Sequence, residues 1–165
     1  MTTFELAQFL VQIITALALL LTLYVYYRQL RTMAGQLEAS RSANSAQNIL
    51  SLVTFLQAPD VRMSREVMRI KLAKKSFDRW TDDERSDASR VCSTYDVAAI
   101  LVRLGLVPIR PIVETWGHSI RHCYEVATPL ILEMQRPENS GSTYWDDFGW
   151  LNEQVINAGI AKADA

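Results

Sequence analysis

Three side chains in the C-terminal third of the chain have a spacing that suits a metal site. Glu114, His118 and His122 recur at intervals of four residues, so a helix would place them on one side. A histidine pair at this spacing, with a carboxylate nearby, is a common way to present ligands to a metal ion. The apolar residues of the same predicted helix lie roughly opposite, however, and no second ligand-bearing segment is evident. We therefore predict a solvated polar face and no cofactor, and keep a metal-dependent enzyme as the last of three functional hypotheses.

One acidic residue, Asp96, lies beside the apolar stripe of the most hydrophobic predicted helix. Arg103 follows one heptad later on nearly the same side. A partly buried carboxylate needs a partner, so Asp96 and Arg103 are predicted to form a structural ion pair, with Arg85 as the alternative partner. The sequence contains no glycine-rich phosphate loop, no GxSxG and no HExxH. We therefore predict a protein that is not an enzyme.

A run of cations marks the predicted amphipathic helix over residues 61–75. Its polar face is opposed only by Glu66 and contains six basic residues: Arg62, Arg65, Arg69, Lys71, Lys74 and Lys75. Its apolar face is predicted to consist of Met63, Val67 and Ile70, widened by Val61, Met68 and Leu72. A basic face of this kind can contact lipid or an acidic partner. The simpler interpretation is the solvated side of a bundle helix, because the stretch has no aromatic residue to insert into lipid.

The first structural element predicted along the chain is an apolar run, Leu6–Tyr27, that contains no charged residue. At 1.5 Å per residue this run is about 33 Å long, which matches a hydrocarbon core of about 30 Å. It predicts a single transmembrane helix. Glu5 precedes the run while Arg28 and Arg31 follow it, so the positive-inside rule places the N-terminus outside and the rest of the chain in the cytoplasm.

The predicted span also has a polar face, which consists of Gln8, Gln12, Thr15 and Thr22. These residues fall on one side at helical spacing. They could line a pore if several spans assemble, or they could simply support helix packing.

Helical signals continue to the end of the chain, and no segment shows the alternation of a strand. We therefore predict an all-α fold, with one transmembrane helix followed by a cytoplasmic bundle of about four to five helices. Thr81 and Glu84 have capping-box spacing, Gly105 is a helix stop, and Pro129 is predicted to bend a later helix. The predicted divisions are an anchor (1–28), a juxtamembrane helix or linker (29–48), a helical domain (49–159) and a flexible tail (160–165).

The composition limits the classes of partner. After Tyr27 the chain carries 17 Lys and Arg against 17 Asp and Glu, since Glu5 is the one charged residue before that point. A neutral domain has no long-range field to concentrate nucleic acid, so no specific nucleic-acid binding is expected. Cys92 and Cys123 lack CxxC spacing, which predicts two reduced, buried thiols.

The stretch from Tyr95 through Arg103 and Gly105 to Trp116, with the helix around Pro129 after it, resembles a bacterial family known only as a domain of unknown function. The resemblance covers roughly the last two-thirds of the chain. It implies one N-terminal span joined to a small helical cytoplasmic domain. Because the matching residues pack helices or end them, it transfers no active site. Proteins of this outline are similar to small membrane-anchored components of bacterial defence or stress systems.

Two functional hypotheses precede the enzyme. The first is a non-catalytic module, anchored in the lipid bilayer, that assembles with itself or with a cytoplasmic protein. The second is a membrane effector of the bacterial defence type, in which the spans oligomerise into a pore or lesion. The oligomeric state in detergent is the observation that best separates them.

Overall fold

The computed structural model describes residues 3–139 and 141–159, which form five α-helices and two short 3-10 helices and contain no strand. In chain order these are α1 (Thr3–Leu56), α2 (Pro59–Ile70), the 3-10 helices Leu72–Lys74 and Phe77–Arg79, α3 (Asp82–Arg103), α4 (Ile109–Met134) and α5 (Asp146–Asn157). The predicted all-α fold, a long apolar helix followed by a helical domain, is confirmed. The predicted flexible tail, 160–165, lies outside the described residues.

The chain divides into two compact units, Met1–Asn44 and Ser45–Ala165. The first unit is formed by the greater part of α1, and the predicted juxtamembrane segment 29–48 is helical as well. By length and composition, α1 is the one described helix that could cross a membrane. The described side chains from Leu10 to Asn44 are exposed.

The core of the second unit is organised around α3, which packs against α2, α4 and α5. The apolar stripe beside Asp96 forms the buried face of α3 and contains seven residues: Ala88, Val91, Cys92, Tyr95, Ala98, Ala99 and Val102. Leu52 and Leu56, from the end of α1, belong to the same core. Burial of so many apolar side chains supplies the main driving force for the fold of this unit.

Local sequence signals set the ends of α3. The Thr81 hydroxyl accepts from the Glu84 amide, and the Glu84 carboxylate accepts from the Thr81 amide at 2.9 Å, which completes the predicted capping box. Beyond the helix, Gly105 has a φ of 70°, a left-handed conformation that glycine adopts without steric strain. Both predicted helix boundaries are therefore confirmed.

The apolar face predicted for α2 is partly wrong. Val61 and Met68 are buried as expected, whereas Met63 and Ile70 are 63% and 54% exposed. Between the buried apolar positions lie two polar residues, Ser64 and Arg65, which are buried instead. The physical reason is that both find hydrogen-bond partners in the interior, so the helix turns them inward.

The last apolar stripe runs from Trp145 into α5, and four of its residues are buried: Trp145, Phe148, Leu151 and Val155. The helix begins at Asp146, because Trp145 adopts a left-handed conformation with a φ of 56° and does not cap the helix with its side chain. The Trp145 indole instead donates to the Ser93 hydroxyl of α3 at 3.1 Å.

Candidate functional site

The three residues with metal-site spacing lie on α4 without further ligands. The Glu114 carboxylate accepts from the Arg110 guanidinium at 2.7 Å, and both side chains are exposed. The His118 and His122 rings lie parallel, with centroids 6.4 Å apart. Over the residues that the structure describes, no group of three or more histidine, cysteine, aspartate or glutamate side chains is arranged to hold a metal ion.

The predicted pairing of Asp96 with Arg103 is wrong, since each has a different partner. Arg103 forms an ion pair with Asp147 of α5. The Asp96 carboxylate accepts a hydrogen bond from the backbone amide of Phe148 at 2.9 Å. Phe148 is the third residue of α5, so Asp96 supplies from α3 the cap that Trp145 does not provide.

The environment of Asp96 shifts its ionisation. Burial raises the pKa of the Asp96 carboxyl above its ordinary value, the amide of Phe148 opposes that rise, and the nearby carboxylate of Asp147 adds to it. The raised pKa thus reflects partial desolvation of a capping group.

Arg65 departs furthest from the predicted basic face. Its side chain is buried, with a relative solvent exposure of only 9% for the residue. Its guanidinium donates to the backbone carbonyl of Leu56 at 2.7 Å and makes a longer contact of 3.5 Å to the Tyr95 hydroxyl. Because Leu56 ends α1, the cation lies where the carbonyl end of a helix favours positive charge. Arg65 therefore joins α1, α2 and α3 from inside the domain.

The other predicted members of the basic face lie at the surface. Arg62, Arg69, Lys71 and Lys74 are exposed. Lys75 lies beyond α2 and donates to the Glu84 carboxylate at 2.5 Å, which lowers the pKa of that carboxyl. The cations thus fall into three groups: a buried capping arginine, a lysine paired with α3, and exposed side chains without an ion pair among the described residues.

A cleft of about 430 Å³ opens between the start of α2 and the middle of α4. Nine residues line it: Gln57, Pro59, Arg62, Met63, Arg65, Glu66, Arg69, Trp116 and Ser119. Three arginines against one glutamate give this lining a formal charge of +2. The Ser119 hydroxyl shares a hydrogen bond of 2.8 Å with the Tyr95 hydroxyl, which in turn contacts Arg65. We call this feature the arginine cleft.

Sequence reasoning found the arginines of the cleft but missed its α4 side. Trp116 is buried in the core, at 8% exposure, and its position in the cleft wall has no sequence signal beyond its apolar spacing. Its indole N–H has no hydrogen-bond partner among the described residues. Ser119 carried no sequence signal at all, because a lone serine inside an amphipathic helix resembles any other polar position.

The two thiols are buried, as predicted. Burial raises the pKa of Cys92 far above its ordinary range and raises that of Cys123 to about 11. Neither thiol is therefore a reactive thiolate at neutral pH.

A second surface feature is an apolar groove of about 310 Å³. It lies between the last turns of α1 and the end of α3, and Phe55, Val97, Leu101 and Leu106 contribute most of its wall. Phe55, Val97 and Leu106 are each more than 40% exposed. Nothing in the described part of the chain covers this groove.

These observations define a class: a small all-helical domain with a buried polar network that follows a long apolar helix. Within that class, the chain belongs to the family described as a domain of unknown function, DUF4760, whose family model matches residues 12–155. The predicted membership of such a family is confirmed. No curated protein and no solved structure matches the chain.

Proposed function

We propose that this protein is a single-pass, non-catalytic membrane module that assembles with further copies of itself. The assembly would gather its helical domains at the cytoplasmic face of a bacterial inner membrane, with the N-terminus outside. The flanking charges, Glu5 before the apolar run and Arg28 and Arg31 after it, support this orientation.

The observation that carries the proposal is an apolar stripe on α1 without a partner. Its members alternate at three- and four-residue intervals and are each 54–66% exposed: Leu19, Leu23, Tyr26, Leu30, Met33 and Leu37. Before Arg28 the neighbouring residues, such as Leu20 and Leu21, are equally apolar and exposed. The informative part is the continuation beyond Arg28, which keeps the heptad spacing of a helix that pairs with another helix. The last three members lie beyond Arg28, in a stretch that also contains Arg31 and several uncharged polar residues, so contact with lipid does not explain them. A second copy would cover them.

The membrane makes a parallel pair the natural geometry. Two copies inserted with the same orientation bring the same stripe to the same depth, as a two-fold interface requires. Gln12 lies on the same stripe, one heptad before Leu19, and its side-chain amide has no hydrogen-bond partner among the described residues. An amide in an apolar span favours pairing across helices. The stripe and the amide thus support the same face.

The threonines of the polar face favour packing over a water-filled pore. The Thr15 hydroxyl donates to the Val11 carbonyl and the Thr22 hydroxyl to the Ala18 carbonyl, each at 2.8 Å. A hydroxyl that returns to its own backbone needs neither water nor a neighbour. The effector hypothesis therefore depends mainly on Gln8 and Gln12, and dye release from liposomes carrying the protein would support it.

Cysteine cross-linking in membranes tests the proposed pair. Met33→Cys places a thiol on the stripe, and Thr32→Cys places one about 100° away on the same turn. We expect oxidation to trap a dimer with Met33→Cys and very little with Thr32→Cys. The native thiols, both buried, provide a low background. Equal cross-linking of the two variants, or a monomeric mass in detergent together with no cross-linking, would contradict the proposal.

A further inference from the structure

The arginine cleft has the chemistry of an anion site. Arg62, Arg65 and Arg69 line it with Glu66 as the one acidic residue. Arg62, Arg69 and Glu66 are exposed, and none of them forms an ion pair within the described residues. Glu66 lies four residues after Arg62 and three before Arg69, spacings at which ion pairs can form on a helix, yet neither pair forms. With three arginines and one glutamate, the lining keeps a formal charge of +2 around one concavity.

Hydrogen bonds hold the side chains at the deep end of the cleft in place. Arg65 is fixed there by the Leu56 carbonyl, and Ser119 is fixed by the Tyr95 hydroxyl. Trp116 also lines the cleft, and its indole N–H, which solvent reaches, makes no hydrogen bond within the described residues. A positioned cation and an unused donor beside two exposed arginines form a set that is rich in donors and poor in acceptors. Such a set is complementary to an oxyanion.

We propose that the arginine cleft binds the phosphate group of a small phosphorylated molecule. Arginine guanidinium groups match phosphate oxygens through paired N–H donors, which lysine and neutral donors do not reproduce. The volume of about 430 Å³ lies in the range of small-molecule sites and exceeds the size of a bare phosphate ion. The same chemistry is offered by a soluble phosphomonoester and by the headgroup of an anionic phospholipid. The inference does not depend on self-assembly, since one copy contains the whole cleft.

Calorimetric titration of the full-length protein with glycerol 3-phosphate tests this proposal. The protein is held in phosphatidylcholine nanodiscs at constant ionic strength, with chloride as the balancing anion. We expect saturable binding that inorganic phosphate competes away. Arg62→Gln with Arg69→Gln should weaken binding roughly tenfold or more, because it removes two charged donors. Glu66→Gln should tighten binding about threefold by removing the opposing charge.

The matched control is Arg79→Gln, which removes an exposed arginine outside the cleft and should leave the affinity unchanged. Tryptophan fluorescence of each variant checks that the domain is folded. Phosphatidic acid nanodiscs identify the source of the phosphate: loss of glycerol 3-phosphate binding there indicates that the headgroup occupies the cleft, and unchanged binding indicates a soluble ligand. The proposal is overturned if the wild type shows no saturable binding, if the double variant binds as well as the wild type, or if Arg79→Gln weakens binding equally.

Discussion

The cap that Asp96 provides to α5 leads to a prediction in which charge and hydrogen bonding can be separated. Asp96→Ala removes the acceptor and leaves the Phe148 amide without its partner. Loss of a capping side chain costs about 1 kcal/mol, and an unsatisfied buried amide adds to this, so we expect about 1–2 kcal/mol of destabilisation. For a domain of this size that corresponds to a fall in Tm of about 4–8 °C.

Asp96→Asn should behave differently, because the amide oxygen can still accept from Phe148 while the desolvated charge is gone. Burial raises the pKa of Asp96, so the folded protein holds this proton more tightly than the unfolded chain does. The tighter proton binding stabilises the folded state by an amount that is fully present below the pKa of Asp96 in the unfolded chain, near 4. This stabilisation is lost as the pH rises through the higher pKa of the folded state. The stability of Asp96→Asn relative to wild type should therefore increase from about pH 4 to neutrality.

Thermal unfolding followed by tryptophan fluorescence is the assay. All four tryptophans lie in the second unit, so the signal reports on that unit even when the full chain is held in detergent. Asp146→Ala is the control, because Asp146 is exposed in the first turn of α5 but caps nothing; it should cost no more than about 0.5 kcal/mol. The capping argument is refuted if Asp96→Ala is as stable as wild type, or if Asp96→Asn is as damaging as Asp96→Ala at neutral pH.

Three further predictions concern the same domain. Thr81→Ala should lower stability by about 1 kcal/mol through loss of the capping box, and a change in Tm smaller than that of Asp146→Ala would contradict it. Gly149→Ala should be neutral or stabilising by up to about 1 kcal/mol, because alanine favours a helix more than glycine does. The new Cβ would lie 3.4 Å from the Tyr124 hydroxyl, so a lower Tm would mean that the Tyr124 side chain cannot move aside. Cys92 and Cys123 should resist a thiol reagent at pH 8 until the domain unfolds, and labelling of the native protein would show that the core opens more readily than their burial implies.

The parts of the fold that were predictable are those fixed by local signals. The α3 helix is the clearest case: its capping box, its apolar stripe and its glycine stop all lie within the helix or next to it, so neighbouring residues decide its conformation. The stripe of α5 was predictable for the same reason. In each case burial followed the apolar periodicity, although one polar residue per helix is buried as well, Thr94 in α3 and Asn152 in α5.

The features that were not predictable depend on partners distant in sequence. Arg65 and Ser64 are buried because acceptors arrive from the end of α1 and from Asp87 of α3, and no property of α2 alone signals this. Asp96 was correctly identified as a polar residue in need of a partner. That partner, the Phe148 amide, lies 52 residues away. Because it is a backbone group, which nearly every residue has, no side-chain type in the sequence identifies it.

The aromatic contacts around Phe148 have a consequence for the timescale of motion. The Phe148 ring is fully buried, stacked on Tyr95 of α3 at 5.3 Å and met edge-on by Tyr124 of α4 at 5.2 Å. A ring held on both sides cannot rotate by half a turn unless the three helices separate for an instant, since a packed interior has no spare volume. The rate at which the Phe148 ring flips, measured by NMR line broadening, therefore reports how often the packing between α3, α4 and α5 opens transiently.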